Sequence, residues 1–225
     1  MSEKEFQVVG PENLVVPGRA KAIFEQAGLS GRTQQMVKGA TILSQGSSND
    51  VLYYLITGRV KLSAASESGK DAIIRVVSDG DIFGESCLAM PPLNPITATA
   101  LTHGSLWLLP SSQVRIAARQ SPPLSELIIH FLLLHNRRLQ NGLANHLTSP
   151  SEKRLAYILA NLADLSEDHV VEGISQEDLA SMTGTTRSRI SFFMNRFRRL
   201  GYVEFADRAK NFRVLPSRIR EVLHS

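Results

Sequence analysis

The sequence predicts an α+β chain in two units: an N-terminal antiparallel β-barrel of the jelly-roll kind, a long helix, and a C-terminal winged helix-turn-helix. Three observations carry this prediction. Between about Gly39 and Leu109, glycines or Gly-Ser clusters recur at 39, 46, 58, 69, 80 and 84 among short apolar runs, the pattern of an antiparallel sandwich or barrel. From Pro122 the apolar period changes from strand-like to three-and-four spacing. Residues 174–214 then read as helix, glycine turn, helix and hairpin.

Within the first unit, Gly18 to Ala27 has a short helical pattern, and VLYYLI, RVKLSA, AIIRVV and ATALTHGSLWLL are the strand candidates. The long helix covers about residues 122–147. Leu124, Leu127, Ile128, Phe131, Leu134, Leu139 and Leu143 form its stripe, with Ile129 and Leu133 beside it. A seam this long serves as barrel packing, as a dimer interface, or as both. Ser149-Pro150-Ser151-Glu152 reads as a capping box: Ser149 caps, Pro150 opens and Glu152 closes a new helix. The division is therefore expected at Thr148/Ser149, giving units 1–148 and 149–225.

The charge pattern favours an anionic partner for the second unit. A chain of 225 residues has a net charge of only +4, but residues 184–220 hold 10 Lys and Arg against 2 Asp and Glu. Such a cluster is the footprint of a phosphate-binding surface. The longest apolar run, near Leu127 to Leu134, is far shorter than the roughly 20 residues of a membrane span, and MSEKEFQVVG lacks the apolar stretch of a secretory signal. A cytoplasmic protein with no membrane contact is expected. Cys87 stands alone, which excludes an internal disulfide; it is either a redox-sensitive thiol or a small buried residue.

The stretch ISQEDLASMTGTTRSRISFFMNRFRRLGYVEF carries the chemistry. Ser175 is placed to cap a helix with Leu179 and Met182 inward. Gly184 ends that helix, and Thr185 or Thr186 caps the next one. Ile190, Phe193, Met194, Phe197 and Leu200 then form the buried stripe of the second helix, leaving Arg187, Ser188, Ser191, Asn195 and Arg198 open. An arginine at this place can bond guanine bidentately, while hydroxyls and the helix N-terminus take phosphate oxygens. YVEF, ADRAKN and FRVL complete a hairpin wing with Arg208, Lys210 and Arg213. Double-stranded DNA is the partner these features predict.

VLYYLITGRVKL, GDIFGE, the long helix and the helix-turn-helix stretch, in this order, resemble the bacterial Crp/Fnr transcription regulators over nearly the whole chain. The resemblance implies a cyclic-nucleotide-binding-like sensor unit and a homodimer joined by the long helix. It also implies a palindromic DNA site and contact with RNA polymerase at promoters. Arg187 matches the family's base-reading arginine; Gln176, Thr185, Thr186, Ser188, Ser191, Arg199 and Lys210 are further candidate contacts. Ser188 stands where glutamate is common and Phe192 where the catabolite activators have arginine, so a different half-site is expected.

The resemblance also defines an effector pocket. Gly84 and Glu85 match the start of the family's phosphate-binding cassette, but Ile96-Thr97 stands where an Arg-Ser pair holds the cyclic phosphate. The long helix has Leu139, Gln140, Gly142 and Leu143 near the place of the Thr-Ser pair that meets the purine. No other arginine or lysine lies between Arg75 and Arg115, and a hydroxyl does not replace a bidentate cation. Gly84, Glu85 and Thr97 are thus candidate pocket residues, with an unidentified effector or none; cyclic AMP is the alternative, and Glu85 as a simple cap of corner amides is another reading.

No cofactor or metal is expected: His130 and His135 are five apart on the helix, and one cysteine cannot hold a four-cysteine cluster. Haem ligation by a histidine is the residual alternative. A jelly-roll enzyme would need clustered barrel histidines, and His103 is the only one between Gly39 and Leu109. A nucleotide-binding regulatory subunit that does not act on DNA would leave the wing unexplained.

Overall fold

The computed structural model describes residues 19–66, 71–205 and 211–224. Lys210 and Arg208, assigned to the wing from sequence, lie outside the described residues. Among the described residues, the first unit runs from helix α1 (Arg19–Gln26) through β1 (Arg32–Met36), β2 (Thr41–Leu43), β3 (Val51–Thr57), β4 (Val60–Ala65) and β5 (Asp71–Val77). After β6 (Ile82–Phe83) and one turn of 3₁₀ helix (Glu85–Leu88) come β7 (Thr97–Ala100), β8 (Gly104–Pro110), helix α2 (Ser111–Gln120) and helix α3 (Pro122–Thr148).

The expected jelly roll is present, open rather than closed, as two four-stranded antiparallel sheets ordered β1-β8-β3-β6 and β2-β7-β4-β5. The opening has a local cause. ATALTHGSLWLL reads as one strand in sequence, yet the turn at 101–103 carries the chain from β7 in the second sheet to β8 in the first. The two halves of that run serve different sheets rather than closing one.

Strand β3 is buried on both faces, which explains why VLYYLI is a continuous apolar run. Tyr53 and Leu55 point between the sheets with Val60, Leu62, Phe83 and Leu106. The alternate residues Leu52 and Tyr54 point outward, against α1, α2 and α3 through Phe24, Val114, Leu124 and Phe131. Successive side chains on opposite faces give this period of two.

Helix α3 has 27 residues and, at 1.5 Å each, is about 40 Å long. Only its first half is covered. Leu124, Leu127, Ile128, Phe131 and Leu134 are buried on the sheet unit, whereas Leu139, Leu143 and Leu147 are exposed, as are Ile129 and Leu133. Among the described residues, no helix is long and apolar enough to cross a membrane.

The second unit consists of α4 (Ser151–Ala163), β9 (Val170–Val171), α5 (Gln176–Thr183), α6 (Arg187–Arg199), β10 (Val203–Phe205), β11 (Phe212–Val214) and α7 (Pro216–His224). The predicted hairpin gains a third strand, β9, in a sheet ordered β10-β11-β9. At the junction, α4 begins at Ser151 with Pro150 before it and no side-chain cap, so the expected capping box is not made. Its members are committed elsewhere: Glu152 is 3.0 Å from Arg196, and the Ser149 amide donates to the Asn145 carbonyl at the end of α3.

Arg154 ties the junction together. Its guanidinium donates to the carbonyls of His146 at the end of α3, Ser149 in the link, and Thr183 at the end of α5. The core of the second unit, built on Leu155, Leu159, Leu179, Ile190, Phe197 and Ile219, also takes in Val76 and Leu101 from the sheet unit.

Candidate DNA-reading surface and effector pocket

Helix α5 is capped as its sequence requires. The Ser175 hydroxyl accepts from the Asp178 amide, and the Asp178 carboxylate accepts from the Ser175 amide, a complete capping box. Gly184 ends the helix with φ 64° in the left-handed region. A Cβ there would also stand 2.6 Å from Cε1 of the exposed His146 ring, which can turn aside, so it is the left-handed backbone that calls for glycine. Between the two expected caps for α6 it is Thr186 that serves, accepting from the Arg189 amide.

Helix α6 buries Ile190, Phe193, Met194 and Phe197. Leu200, expected in the same stripe, is exposed, because the helix stops at Arg199 and the partly buried Tyr202 packs on Phe197 instead. The opposite side carries exposed Ser188, Phe192, Asn195 and Arg199. Arg187 is exposed at the helix start, 3.7 Å from the equally exposed Glu177. Such a pair is worth little in water and yields readily to a phosphate or a base. Thr186 is exposed, while Gln176, Thr185 and Ser191 are half-buried at its margins.

Not every arginine of the basic cluster is free for DNA. Arg196 holds Glu152, Arg220 holds Asp164 at 2.9 Å, and Arg198 lies over the Phe205 ring at 5.8 Å, bracing α6 on the wing.

At the candidate pocket, Gly84 has φ 78° and starts the 3₁₀ turn, and a Cβ on it would meet Tyr53 Cδ2 at 2.8 Å. Its carbonyl accepts from the buried Asn49 side chain. Glu85 then faces α3, where His135 Nδ1 lies 3.8 Å from its carboxylate, an ion-pair separation rather than a hydrogen bond when His135 is protonated. Thr97 is engaged elsewhere: its hydroxyl accepts from the Gln45 amide at 3.0 Å. Ile96 packs against the core between the sheets.

The cations missing from the local sequence come from other elements. Arg75 on β5 donates to the Ile82 carbonyl at 3.2 Å, while its Nε and Nη1 are buried without a partner. Arg138 on α3 is 3.8 Å from Asp81. Burial pushes the Arg75 guanidinium down from its ordinary pKa, opposed by Asp81 and Glu85. For Glu85, burial pushes the carboxyl up, but His135, its own amide and Arg75 outweigh this and hold it below the ordinary value.

Arg75, Asp81, His135 and Arg138 were therefore missed around Glu85. A signal was present: Arg75 alternates in phase with Ile73 and Val77, both buried, and a charge on a core-facing phase marks a buried polar site. Cys87 is fully buried and its thiol is pushed up to about 12, first by desolvation, so it is a packed thiol rather than a reactive one.

This geometry, a two-sheet sensor-like unit joined through a long helix to a winged helix-turn-helix, defines a DNA-binding regulator with a ligand-binding type of N-terminal unit. Residues 33–121 match the cyclic nucleotide-binding domain model and residues 153–216 the Crp-like helix-turn-helix domain model. The chain belongs to the Crp/Fnr family of transcription regulators.

Similar proteins include the CRP-like cAMP-activated global transcriptional regulator of Mycobacterium tuberculosis, 24% identical over 178 residues, covering 76% of this chain and 80% of that protein. The cAMP-activated global transcriptional regulator CRP of Pasteurella multocida is 28% identical, over 67% and 75%. Among solved structures, FixK2 of Bradyrhizobium japonicum superposes with TM-score 0.77 at 18% identity, over 86% of this chain and 98% of that one. A CRP-family transcriptional regulator of Thermus thermophilus gives 0.71 at 24%, over 85% and 97%. At these identities the superpositions show the shared fold.

Proposed function

We propose that this transcription regulator acts as a homodimer on a two-fold symmetric DNA site, with units 1–148 and 149–225 as sensor and reader. The observation that carries this is α6: an exposed polar and cationic face, held by a capped α5, a glycine turn and a wing, with the opposite face buried. Arg187 reads a base edge, while Gln176, Thr185, Thr186, Ser188, Ser191, Arg199 and Lys210 contact neighbouring phosphates or bases. Leu139, Leu143 and Leu147 on α3, exposed in the single chain, supply the apolar seam between protomers. The bound dimer meets RNA polymerase at promoters in the cytoplasm.

The sensor reading departs from that of the cAMP-activated relatives. With Ile96 packed against the core and Thr97 bonded to Gln45, the cassette segment itself supplies no cation, and the cations beside Glu85 are engaged elsewhere, Arg75 on the Ile82 carbonyl and Arg138 beside Asp81, so DNA binding is independent of cyclic AMP and answers to another effector or to none. The test is anisotropy on a selected duplex with and without cyclic AMP, alongside calorimetry. Unchanged affinity and no heat support the reading; a micromolar isotherm that strengthens DNA binding establishes a cyclic-AMP-responsive regulator instead.

A further inference from the structure

We infer that Phe192 is a specificity-determining residue that reads a thymine through its C5 methyl group. This rests on the base-reading role of α6 proposed above, exercised in the major groove, and goes beyond it by naming a base and the group on it that is recognised.

Phe192 is 60% exposed at the centre of the open face of α6, four residues after Ser188, three before Asn195 and seven before Arg199. Its ring stands edge-on to the buried Phe193, with centroids 5.7 Å apart and planes at 67°, which gives the exposed aromatic a supported orientation. An apolar ring in the middle of a polar and cationic face is unfavourable in water, and its neighbours point to what covers it. Serine, asparagine and arginine on the same face suit base edges and phosphates, so the surface that buries Phe192 is itself lined by these groups. Among the base-pair edges in the major groove, the thymine methyl is the distinctive apolar group, and phenylalanine is one of the side chains that meets it. A second copy of this chain would have to desolvate Asn195 and Arg199 beside the ring, which disfavours a protein occupant at this spot.

The probe that isolates the methyl is deoxyuridine, identical to thymidine in its Watson–Crick pairing. A bound site is first selected from a random duplex library with the full-length protein. Each thymine is then replaced symmetrically in both half-sites by deoxyuridine, and Kd is measured by anisotropy at fixed salt. At one thymine per half-site, the wild type loses roughly fourfold in affinity for each half-site, the worth of one buried methyl. Phe192→Ala is indifferent to the replacement at that position, whereas Phe192→Leu retains part of the loss. Thermal unfolding of the two variants at the wild-type temperature establishes that the exposed substitutions leave the fold intact. A wild type indifferent to deoxyuridine at every thymine, or a Phe192→Ala variant that still shows the full loss, overturns the inference while leaving DNA binding in place. A library that yields no selected site overturns the reading of α6 on which it stands.

Discussion

Lys61 Nζ on β4 lies 2.8 Å from Asp178 Oδ1 on α5, joining the N-terminal sheet unit directly to the first helix of the helix-turn-helix. Both side chains are largely buried, and the contact is doubled by Ser181, whose hydroxyl donates to the Asp71 carbonyl and accepts from the Ile73 amide of β5. Asp178 also closes the capping box of α5, so one carboxylate serves helix initiation and contact between the units. Burial pushes it up, yet Lys61 and Ser175 outweigh burial and hold it below the ordinary carboxylate range.

Lys61→Met should therefore weaken the contact without touching the cap. The expected loss is about 1–2 kcal/mol in urea unfolding at neutral pH. A carboxyl depressed in the fold stabilises above its unfolded pKa and loses that contribution as pH falls through its folded pKa. The difference between wild type and variant should shrink to nothing on acidification below the ordinary carboxylate range; a difference independent of pH would mean that the charge pair is not the source.

Gly184→Ala forces a left-handed backbone on alanine and sets its Cβ against the exposed His146 ring. A loss of roughly 1–3 kcal/mol in thermal or denaturant unfolding is expected. Adding His146→Ala should recover the steric part only. Complete recovery would assign the whole effect to packing, and none would assign it to the backbone.

Around Glu85, Arg75→Met removes a cation that helps hold its carboxyl down. The Glu85 titration, followed by carboxyl-carbon NMR, should move upward in the variant. An unmoved titration would show that His135 and the local amide suffice.

At the DNA surface, Arg187→Ala should cost roughly 1–3 kcal/mol and flatten preference at one base pair, whereas Arg199→Ala should lower the salt slope by about one while weakening all sequences alike. Glu177→Gln, which removes the carboxylate 3.7 Å from Arg187, should leave stability unchanged, as expected of an exposed pair. Binding curves over a salt series separate base reading from phosphate contact.

The DNA-binding half was the more legible part of the sequence, because its signals are local. Ser175, Gly184 and the apolar spacing of α6 act within a few residues of themselves, and the structure uses each as expected up to Phe197. The corner around Glu85 depends on long-range pairing. Arg75, Glu85 and His135 are brought together by sheet register and by the docking of α3, which no local window contains. One misread end has the same cause, since Glu152 left its cap for Arg196, 44 residues away; the other is local, Leu200 losing its place to Tyr202 in the turn that ends α6.

Selection of duplex DNA by the purified full-length chain, followed by footprinting of the recovered sequence, tests the central claim most directly. The expected result is an inverted repeat whose half-sites lie about one helical turn apart, protected in the major groove and bound by two chains. Recovery of no common sequence, with binding governed by salt alone, would contradict it.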